Sequence, residues 1–349
     1  MPSDTRPRRT ATAVTFRLPD PDGRLTGVRL QQEARVPGEL LDFRRTDGGW
    51  QLKLDRPPVD RMEYLLELAH ADGHRERVPD PGNPVRTRGV FGDKSVVEFP
   101  GYRPPGWLRE PAPAGRARPL DMPARSLDAT VHARLWSPGG VPDDEPLPLV
   151  VAHDGPEYDE LAALTRYLAA GVAGGRLPPL RAALLYSGNR DAWYSANTAY
   201  ARALALAVVP ALARAVPTTT RVGMGTSLGG LAMLHAHRRH PETFDALFLQ
   251  SGSFFHPRYD AHERRFPHYL RIVRFVRIVL DSSTAPRAVP TVLTCGAIEE
   301  NVENNRLMAR ALRAQGYDAR LHEVRDVHNY TAWRDAFDPH LTQLLREAQ

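Results

Sequence analysis

Short runs in which hydrophobic and polar residues alternate occupy the chain from about residue 13 to residue 100. The clearest are residues 50–54, 64–68 and 96–99, and the first two adjoin the turn sequences Asp47-Gly48-Gly49 and Asp72-Gly73. An alternating run beside such a turn is typical of a β-strand with one buried face. Because no long helical periodicity competes with these runs, we expect a small antiparallel β-sandwich here.

A segment rich in proline and glycine follows, from Pro100 to about Pro123, and its composition favours an extended linker. Beyond it, apolar runs alternate with helical patterns. The strand candidates are residues 149–153, 182–186, 221–225, 246–250 and 291–295, and the helix candidates are residues 161–170, 200–215, 231–240 and 302–315. This βαβα order predicts a mostly parallel sheet covered by helices. We therefore expect two domains, an N-terminal β-sandwich with its linker at residues 1–118 and an α/β domain at residues 119–349.

Composition narrows the function classes. The chain has 349 residues and a net charge of +5, and its basic residues are spread along it rather than gathered in one run. Only Lys53 and Lys94 are lysines, so arginine supplies nearly all of the positive charge. A dispersed charge argues against nucleic-acid binding and leaves an anionic small substrate open. The single cysteine, Cys295, excludes an internal disulfide and any multi-cysteine metal site.

Targeting and metal-binding signals are weak. No run of about eighteen apolar residues is present, so we expect no membrane span and no membrane partner. The segment Met1 to Thr12 carries several arginines but is not followed by the apolar stretch and cleavage site of a signal peptide, so we expect a cytoplasmic protein. No metal-ligand spacing such as HExxH occurs, and we expect neither a catalytic metal nor a cofactor. The oligomeric state stays open.

The strongest chemical signal is Gly225-Thr226-Ser227-Leu228-Gly229, a GxSxG motif with a strand pattern before it and a helix pattern after it. A sharp strand-to-helix turn lifts the serine hydroxyl out of the sheet, and the small residues on both sides relieve crowding. The first turn of the helix offers unpaired main-chain donors, so the Leu228 N–H can face a developing oxyanion. We expect a nucleophile elbow with Ser227 as the nucleophile; the alternative is a plain glycine-rich turn.

A serine elbow requires a base, and in the α/β-hydrolase fold the chain order is serine, then Asp or Glu, then histidine. Three downstream histidines lie on the helix after the elbow and would point away from the hydroxyl: His235, His237 and His240. His328 is better placed, because it follows the strand-like residues 320–324 and a loop there can carry an imidazole over Ser227. The alternative is a loop histidine in water.

The triad acid is expected in the loop after the strand that ends at Cys295. Glu299 and Glu300 follow that strand, and either carboxylate can orient the imidazole and stabilise its cation. We favour Glu299, since only one of two neighbouring glutamates can face the imidazole. The other glutamate is then a solvated surface residue.

From about Leu147 onward the chain resembles the catalytic domains of the enterochelin esterases, within the esterase D-like group. The matching pieces are His153-Asp154-Gly155, Arg190 with Asn197, the elbow at Ser227, Ser251-Gly252-Ser253-Phe254, Gly296 with Glu299, Asn305-Arg306, His328-Asn329-Tyr330 and Trp333-Arg334. The first hundred residues resemble the immunoglobulin-like early-set domain of the same esterases through Trp50, Tyr64 and Asp80-Pro81-Gly82-Asn83-Pro84.

The resemblance implies the hydrolysis of ester bonds in a catecholate siderophore, an enterobactin-like trilactone, or in its ferric complex. Its carboxylate after the glycine aligns with Glu299, and its second oxyanion donor aligns with the loop at Asp154-Gly155, which points to the Gly155 N–H. One position departs from the pattern, because Trp193 stands where that group usually has a glutamate. The implied partner is a small-molecule ester.

The same resemblance and the residue types give a set of candidate substrate-binding side chains. They are Asp154, Arg190, Trp193, Tyr194, Phe254, Trp333 and Arg334. Guanidinium groups and aromatic rings suit an aromatic, anionic ligand. The alternative for Arg190, Arg334, Trp193 and Tyr194 is packing at the domain edge, and the alternative for Phe254 is core packing.

Two other functions stay open. One is a carbohydrate or feruloyl esterase, or an acyltransferase, on the same scaffold, since a fold does not fix a substrate. The other is a ligand-binding protein with a silent site.

Overall fold

The computed structural model describes residues 5–348, which divide into two compact units. The first unit comprises the described residues up to Arg103, together with the later segments Gly296–Glu300 and Val324–Asn329. The second unit comprises the rest of the described chain. The first four residues of the arginine-containing N-terminal segment, on which the expectation of a cytoplasmic protein partly depends, lie outside the described residues.

The first unit contains two antiparallel sheets. Its strands are β1 (Arg8–Arg9), β2 (Ala13–Pro19), β3 (Leu25–Gln31), β4 (Arg44–Thr46), β5 (Gly49–Asp55), β6 (Arg61–His70), β7 (Arg75–Val78), β8 (Arg86–Thr87) and β9 (Lys94–Glu98). One sheet has the order β1-β2-β5-β4, and the other has the order β3-β6-β9-β8, with β7 also paired to β6. The predicted all-β N-terminal domain is therefore confirmed.

The alternating sequence pattern explains how this unit acquires a core. In β2 every second side chain is buried, so that Val14, Phe16 and Leu18 point inward while their neighbours stay partly exposed. Successive residues of a strand face opposite sides of the sheet, so a period of two places one apolar face against the core. Phe16 packs edge-on against Tyr64 of β6, with ring centroids 5.0 Å apart.

The second unit is built on an eight-stranded sheet. Its strands are β10 (Arg116–Ala124), β11 (Ala129–Ser137), β12 (Leu147–Ala152), β13 (Arg181–Leu185), β14 (Thr218–Thr226), β15 (Ala246–Gln250), β16 (Thr291–Gly296) and β17 (Ala319–Val324). The order is β10-β11-β13-β12-β14-β15-β16-β17. The pairs β10/β11 and β11/β13 are antiparallel, and the pairs from β13 through β16 are parallel.

Helices flank this sheet. They are α1 (Gly155–Ala162), α2 (Leu164–Ala173), α3 (Arg190–Tyr194), α4 (Thr198–Ala203), α5 (Val209–Ala215), α6 (Leu228–Arg239), α7 (Tyr269–Asp281), α8 (Val302–Ala314), α9 (Tyr330–Asp335) and α10 (Thr342–Glu347). Every residue of β13, β15 and β16 is buried, as expected for parallel strands covered on both faces. The second unit is thus an α/β-hydrolase sheet with flanking helices, as the sequence predicted.

The boundary between the units differs from the expected one at residue 118. The second unit begins at Pro104. The reason is aromatic packing. Trp107 is buried, its ring meets Tyr167 of α2 edge-on at a centroid distance of 5.2 Å, and it stacks on Phe337 at 6.4 Å. The proline-rich segment is therefore part of the α/β unit rather than a free linker.

One described helical stretch, Thr198–Ala215, is long and apolar enough to cross a membrane by length and composition. It consists of α4, a π-helical turn at Leu204–Val208 and α5. Its residues Leu204, Val208 and Leu212 are fully buried in the core of the α/β unit. Core helices of globular domains meet the same length and composition criteria, so this stretch is weak evidence for a membrane span.

Candidate functional site

The backbone at Ser227 makes the sharp turn that the sequence predicted between a strand and a helix. β14 ends at Thr226, Ser227 has φ 55° and ψ −124°, and α6 begins at Leu228. A positive φ is unfavourable for a residue with a side chain and costs about 1–3 kcal/mol. Such strain persists only where the surrounding structure enforces it, and it is a recurring feature of functional sites.

Two glycines make this turn sterically possible. A Cβ at Gly225 would lie 2.5 Å from the carbonyl carbon and oxygen of Gly229. A Cβ at Gly229 would lie 3.1 Å from Cβ of His153, at the end of β12. The first contact is far inside van der Waals distance, and both of its partners are backbone. The GxSxG pattern is therefore required by the close approach of α6 to the ends of β12 and β14.

The Ser227 hydroxyl is partly exposed and has a second hydroxyl beside it. Its Oγ lies 3.1 Å from Oγ of Ser253, which follows β15. The Ser227 N–H donates to the Gln250 carbonyl at 2.9 Å, and the Ser253 N–H donates to the Ser227 carbonyl at 3.1 Å. No role was predicted for Ser253. Its position after the strand next to β14 is the signal that could have identified it.

The two proposed oxyanion donors occupy equivalent positions. Leu228 is the first residue of α6 and Gly155 is the first residue of α1, where N–H groups have no partner within the helix. Gly155 also has a packing role, because a Cβ there would lie 2.3 Å from Cα of Leu184 in β13. The residue before it, Asp154, is in the left-handed region with φ 48°.

Two predicted substrate-binding residues, Asp154 and Arg190, bind each other. Nε of Arg190 donates to Asp154 Oδ1 at 3.0 Å, and Nη2 donates to Oδ2 at 2.9 Å. The Asp154 side chain is almost fully buried, whereas that of Arg190 is 34% exposed. Burial alone would lower the pKa of Arg190, but the Asp154 carboxylate outweighs this and raises it. The Arg190 guanidinium is therefore a permanent cation, held by Asp154 beside the end of β12 and partly exposed to solvent.

His153 fastens the end of β12 to its surroundings. Its Nδ1 lies 3.0 Å from the Gly229 carbonyl oxygen and its Nε2 lies 2.8 Å from the Tyr200 hydroxyl. Its ring stacks on Tyr194 at a centroid distance of 4.3 Å. Complete burial lowers the pKa of His153 to about 4, so this imidazole is neutral. It serves to fix the loop that carries Asp154 and Gly155.

Two other predicted substrate-binding residues are core residues in the structure, which corrects those two expectations. Tyr194 and Phe254 are completely buried, so their side chains have no surface to offer a ligand. Trp193 is partly buried and stacks on Tyr200 at 5.6 Å. The reason is hydrophobic packing of α3 and α4 against α6, which takes up the aromatic rings of the predicted pocket.

Trp333 and Arg334, the last two predicted substrate residues, also have partners within the protein. Trp333 is buried and its Nε1 donates to Oγ of Ser251 at 3.0 Å. Arg334 forms an ion pair with Asp335 at 2.7 Å, and both side chains are about one-fifth exposed. Trp333 therefore positions the segment after β15, which is a correction to its predicted contact with substrate.

Glu299 and His328 lie together in the first unit. Oε1 of Glu299 is 3.4 Å from Nδ1 of His328, and Oε2 accepts from the Gly296 N–H at 2.9 Å. The Glu299 side chain is fully buried, while that of His328 is 22% exposed. Glu300 is exposed instead. Burial would lower the pKa of His328, but the hydrogen bond and charge of Glu299 outweigh it and raise the pKa.

Two of the histidines on α6 have other contacts, in keeping with the sequence argument against them. The His235 ring meets Phe275 edge-on at 4.8 Å, and burial lowers its pKa to about 4. His237 Nε2 lies 2.9 Å from the Arg287 carbonyl oxygen. Both imidazoles are therefore packing residues of α6.

The profile of the family described as "Putative esterase" matches residues 124–344, which is more than half of the chain. The chain belongs to this family. The match begins at the end of β10 and includes the elbow, the Glu299 loop and the His328 loop.

Relatives with established names support the same grouping. An iron(III) enterobactin esterase of Dickeya dadantii is 30% identical over 154 residues, which cover 42% of this chain and 35% of that protein. One from Escherichia coli is 26% identical over 220 residues, which cover 59% of this chain and 53% of that protein. These matches thus span about a third and about half of the curated relatives.

The fold of the chain has a solved counterpart. The crystal structure of the enterobactin esterase from Shigella flexneri in the presence of enterobactin superimposes with a TM-score of 0.75 at 21% identity. The superposition covers 99% of this chain and 96% of that one. It includes the all-β N-terminal domain, so the esterase family fold and the preceding β domain occur together in both chains.

Proposed function

We propose that this chain is a serine esterase that hydrolyses the ester bonds of a catecholate siderophore, an enterobactin-like trilactone, or of its ferric complex. The observation that carries the proposal is the strained backbone of Ser227 between β14 and α6, which holds one hydroxyl at the end of a parallel sheet. The carboxyl ends of parallel strands are where open α/β sheets bind their ligands. Membership of the esterase family agrees with this chemistry.

We assign the base and the acid to His328 and Glu299. The chain order is serine, glutamate, histidine, and the three residues follow β14, β16 and β17 of one sheet. The contact between Glu299 and His328 Nδ1 leaves Nε2 to take the proton of Ser227. The buried carboxylate fixes the tautomer and stabilises the imidazolium that forms. Glu300 has no such part, because its side chain is exposed.

The proposed reaction is acyl transfer in two steps. His328 takes the proton from Ser227, and Oγ attacks the ester carbonyl to form a tetrahedral intermediate. As the C–O bond of the ester breaks, the imidazolium gives that proton to the leaving oxygen, so that the alcohol departs and an acyl-enzyme remains. The Leu228 and Gly155 N–H groups hold the oxyanion that develops in each step. Water, deprotonated by the same imidazole, then releases the acid and restores the Ser227 hydroxyl.

The proposed substrate class rests on the relatives and on charge. Both curated relatives are named iron(III) enterobactin esterases. This chain carries a net charge of +5, which favours the approach of an anionic ligand. Arg190 is a fixed cation with an exposed side, and Trp193 is partly exposed beside it in α3. Removing the buried aromatic residues from the predicted set leaves Asp154, Arg190, Trp193 and Arg334. Of these four we propose Arg190 and Trp193 as substrate contacts, since Asp154 and Arg334 are held in ion pairs.

The decisive experiment compares Ser227→Ala with Ser253→Ala, since each removes one of two adjacent hydroxyls. With a short p-nitrophenyl ester, we expect Ser227→Ala to lower kcat by at least about a thousandfold, and Ser253→Ala by no more than about tenfold. Only Ser227→Ala should abolish labelling by a fluorophosphonate. Undiminished turnover in Ser227→Ala would refute the nucleophile, and a wild-type chain that neither turns over esters nor takes the label would be a ligand-binding protein.

The substrate class is tested by a turnover screen. Ferric and iron-free tri-catecholate lactones, feruloyl esters and short p-nitrophenyl esters are compared by kcat/KM. We expect the lactones to give the highest values. A higher value for feruloyl esters would make the chain a feruloyl esterase with the same chemistry.

A further inference from the structure

The β-sandwich unit contains more than the N-terminal strands. Two later segments, Gly296–Glu300 and Val324–Asn329, belong to it, and they carry Glu299 and His328. Both are short connections, one after β16 and one after β17. Loops are normally the mobile parts of a fold, whereas a catalytic acid and base must be held within about 0.5 Å of a working geometry. Contacts within this unit must therefore fix the positions of the two loops.

Hydrogen bonds join each loop to the connections between the N-terminal strands. The Asp60 N–H donates to the Arg325 carbonyl at 2.7 Å, and Arg325 Nε donates back to Asp60 Oδ1 at 3.0 Å. The Arg35 N–H donates to the Ile298 carbonyl at 3.0 Å. In the loop after β17, Val327 is 2% exposed and is part of the sandwich core. The residue immediately before His328 is thus a core residue of the β-sandwich.

Asp326 holds the chain on both sides of His328. Its Oδ1 accepts from the Val327 N–H at 2.8 Å and from the Asn329 side-chain amide at 2.9 Å. The Asn329 N–H also donates to the Val327 carbonyl at 2.9 Å, which closes a tight turn around His328. One carboxylate oxygen therefore fixes the two neighbours of the proposed base.

Arg61 of β6 supplies the charge that Asp326 faces. Arg61 is 4% exposed, and its Nη1 donates to Glu63 Oε1 at 2.7 Å. Its guanidinium interacts electrostatically with Asp326, which is also buried. A buried cation of this kind is stable only beside buried anions. The sandwich strand β6 and the turn at His328 are therefore coupled by a cluster of buried charges.

We infer that the N-terminal β-sandwich is a working part of the catalytic machinery, in which Asp326, through its hydrogen bonds to Val327 and Asn329, is a positioning residue for His328. This inference rests on the proposed function, because it presupposes that His328 is the base. It assigns no contact with substrate to Asp326 or to Arg61.

The acceptor oxygen of Asp326, rather than its charge, is the part that positions the loop. Burial raises the pKa of Asp326 to about 7, although the Arg61 charge opposes the rise. The carboxylate charge is thus held at a cost, whereas both loop contacts use Oδ1 as a simple acceptor. An asparagine keeps that oxygen and an alanine does not, which separates the two roles.

The experiment therefore compares Asp326→Ala with Asp326→Asn on an activated ester. We expect Asp326→Ala to lower kcat about ten- to a hundredfold with KM within about twofold, because a misplaced base slows the chemical step and leaves binding intact. Asp326→Asn should recover kcat to within about threefold of wild type. Rescue of this kind would not follow if Asp326 only neutralised Arg61.

A matched control shows what a purely structural change does. Asp245 is a partly buried carboxylate of the second unit that accepts from the Arg221 N–H at 2.9 Å and pairs with Arg287 at 3.0 Å. Asp245→Ala should lower the melting temperature and leave kcat per folded molecule unchanged. If Asp326→Ala does not fold, Asn329→Ala, which removes one of the two groups that Oδ1 holds, should still lower kcat severalfold at constant KM.

The outcomes separate the two proposals. If wild type is active, Ser227→Ala is inactive, and folded Asp326→Ala, or folded Asn329→Ala in its place, keeps full kcat, the positioning role is overturned and the serine esterase stands. An unrescued Asp326→Asn also overturns it. If Ser227→Ala keeps its activity, the proposed function itself fails.

Discussion

The Ser227 elbow and the Glu299–His328 pair are encoded in opposite ways. The elbow occupies consecutive residues from β14 into α6, and its shape follows from the absence of side chains at Gly225 and Gly229. The proposed acid and base are 29 positions apart in sequence. Their loops are tied to the β-sandwich unit by Arg35, which donates to the Glu300 carbonyl, and by Asp60, which accepts from Arg325, each across 265 positions. One half of the proposed site is therefore local, and the other half is assembled over nearly the whole chain.

Because of this difference, we expect different kinds of substitution to disrupt the geometry of the two halves. The elbow depends on a close approach of backbone segments that would bring a Cβ at Gly225 to 2.5 Å from the Gly229 carbonyl. It should therefore tolerate changes far away and fail when a glycine gains a methyl group. The acid–base pair depends on hydrogen bonds and buried charge, so it should fail when a distant partner is lost. Each experiment below breaks one half and leaves the other intact.

The largest effect is expected at the base. His328→Ala should lower kcat by up to about a millionfold, because the hydroxyl of Ser227 is a weak nucleophile without a neighbouring base. The matched variant is His235→Ala on α6, much nearer to Ser227 in sequence but packed against Phe275. It should reduce stability and leave kcat within about threefold. A large loss of kcat in His235→Ala, with normal turnover in His328→Ala, would move the base onto the elbow helix.

The two adjacent glutamates provide the next comparison. Glu299→Gln should lower kcat by about a thousandfold or more, since the amide can present an N–H to the imidazole and favour the wrong tautomer. Glu300→Gln should match wild type, because its side chain is exposed. Rates are measured on an activated ester at a fixed pH above the pKa of His328. Equal rates in the two variants would remove Glu299 from the triad.

The sequence predicted the local half almost completely. The elbow and the strands on either side of it could be read from periodicity and the GxSxG pattern, because glycine sterics and strand burial act within a few residues. The preference for Glu299 over Glu300 had no such basis in the residues alone. In the structure, only Glu299 combines a buried side chain with an oxygen near His328 Nδ1.

The non-local half could not be predicted. Nothing in the sequence near Asp326 shows that it lies in the field of Arg61, because that electrostatic interaction depends on the packing of a strand some 260 residues earlier. The complete burial of two predicted substrate residues could not be predicted for a related reason. Tyr194 and Phe254 are aromatic residues near the motif, and aromatic side chains fill cores as often as they line pockets. The division at residue 118 likewise missed the burial of Trp107.

A glycine-to-alanine substitution in each half tests how little space each half has for an added methyl group. A Cβ at Gly225 would lie 2.5 Å from the Gly229 carbonyl, and a Cβ at Gly296 would lie 2.3 Å from the Asp326 carbonyl oxygen and 2.8 Å from Glu299 Oε2. Each alanine variant should lose about 1–3 kcal/mol of unfolding free energy in a denaturant titration. Gly106→Ala, which has open space around the new methyl group, should match wild type.

The two glycine variants should differ in their chemistry. Gly225→Ala displaces Ser227 itself, so fluorophosphonate labelling per folded molecule should fall steeply. Gly296→Ala displaces Glu299, whose contact with His328 is lost while the elbow keeps its shape, so labelling should fall less than in Gly225→Ala. If both variants label at the wild-type rate, the glycines serve packing only.

The smallest effect is a shift in pH dependence, which tests the acid–base half without disrupting it. The Glu299 contact raises the pKa of His328 against the opposing effect of burial, and the base must be neutral to act. The kcat/KM value should therefore fall as pH decreases, with a midpoint above the ordinary imidazole pKa of about 6.5. In Glu299→Gln the midpoint should move to lower pH, because the stabilised imidazolium loses its partner.

Asp326 has a pKa of about 7 and titrates in the same range, so the profile is repeated in Asp326→Asn. An unchanged midpoint there assigns the titration to His328, whereas disappearance of the acid limb would assign it to Asp326.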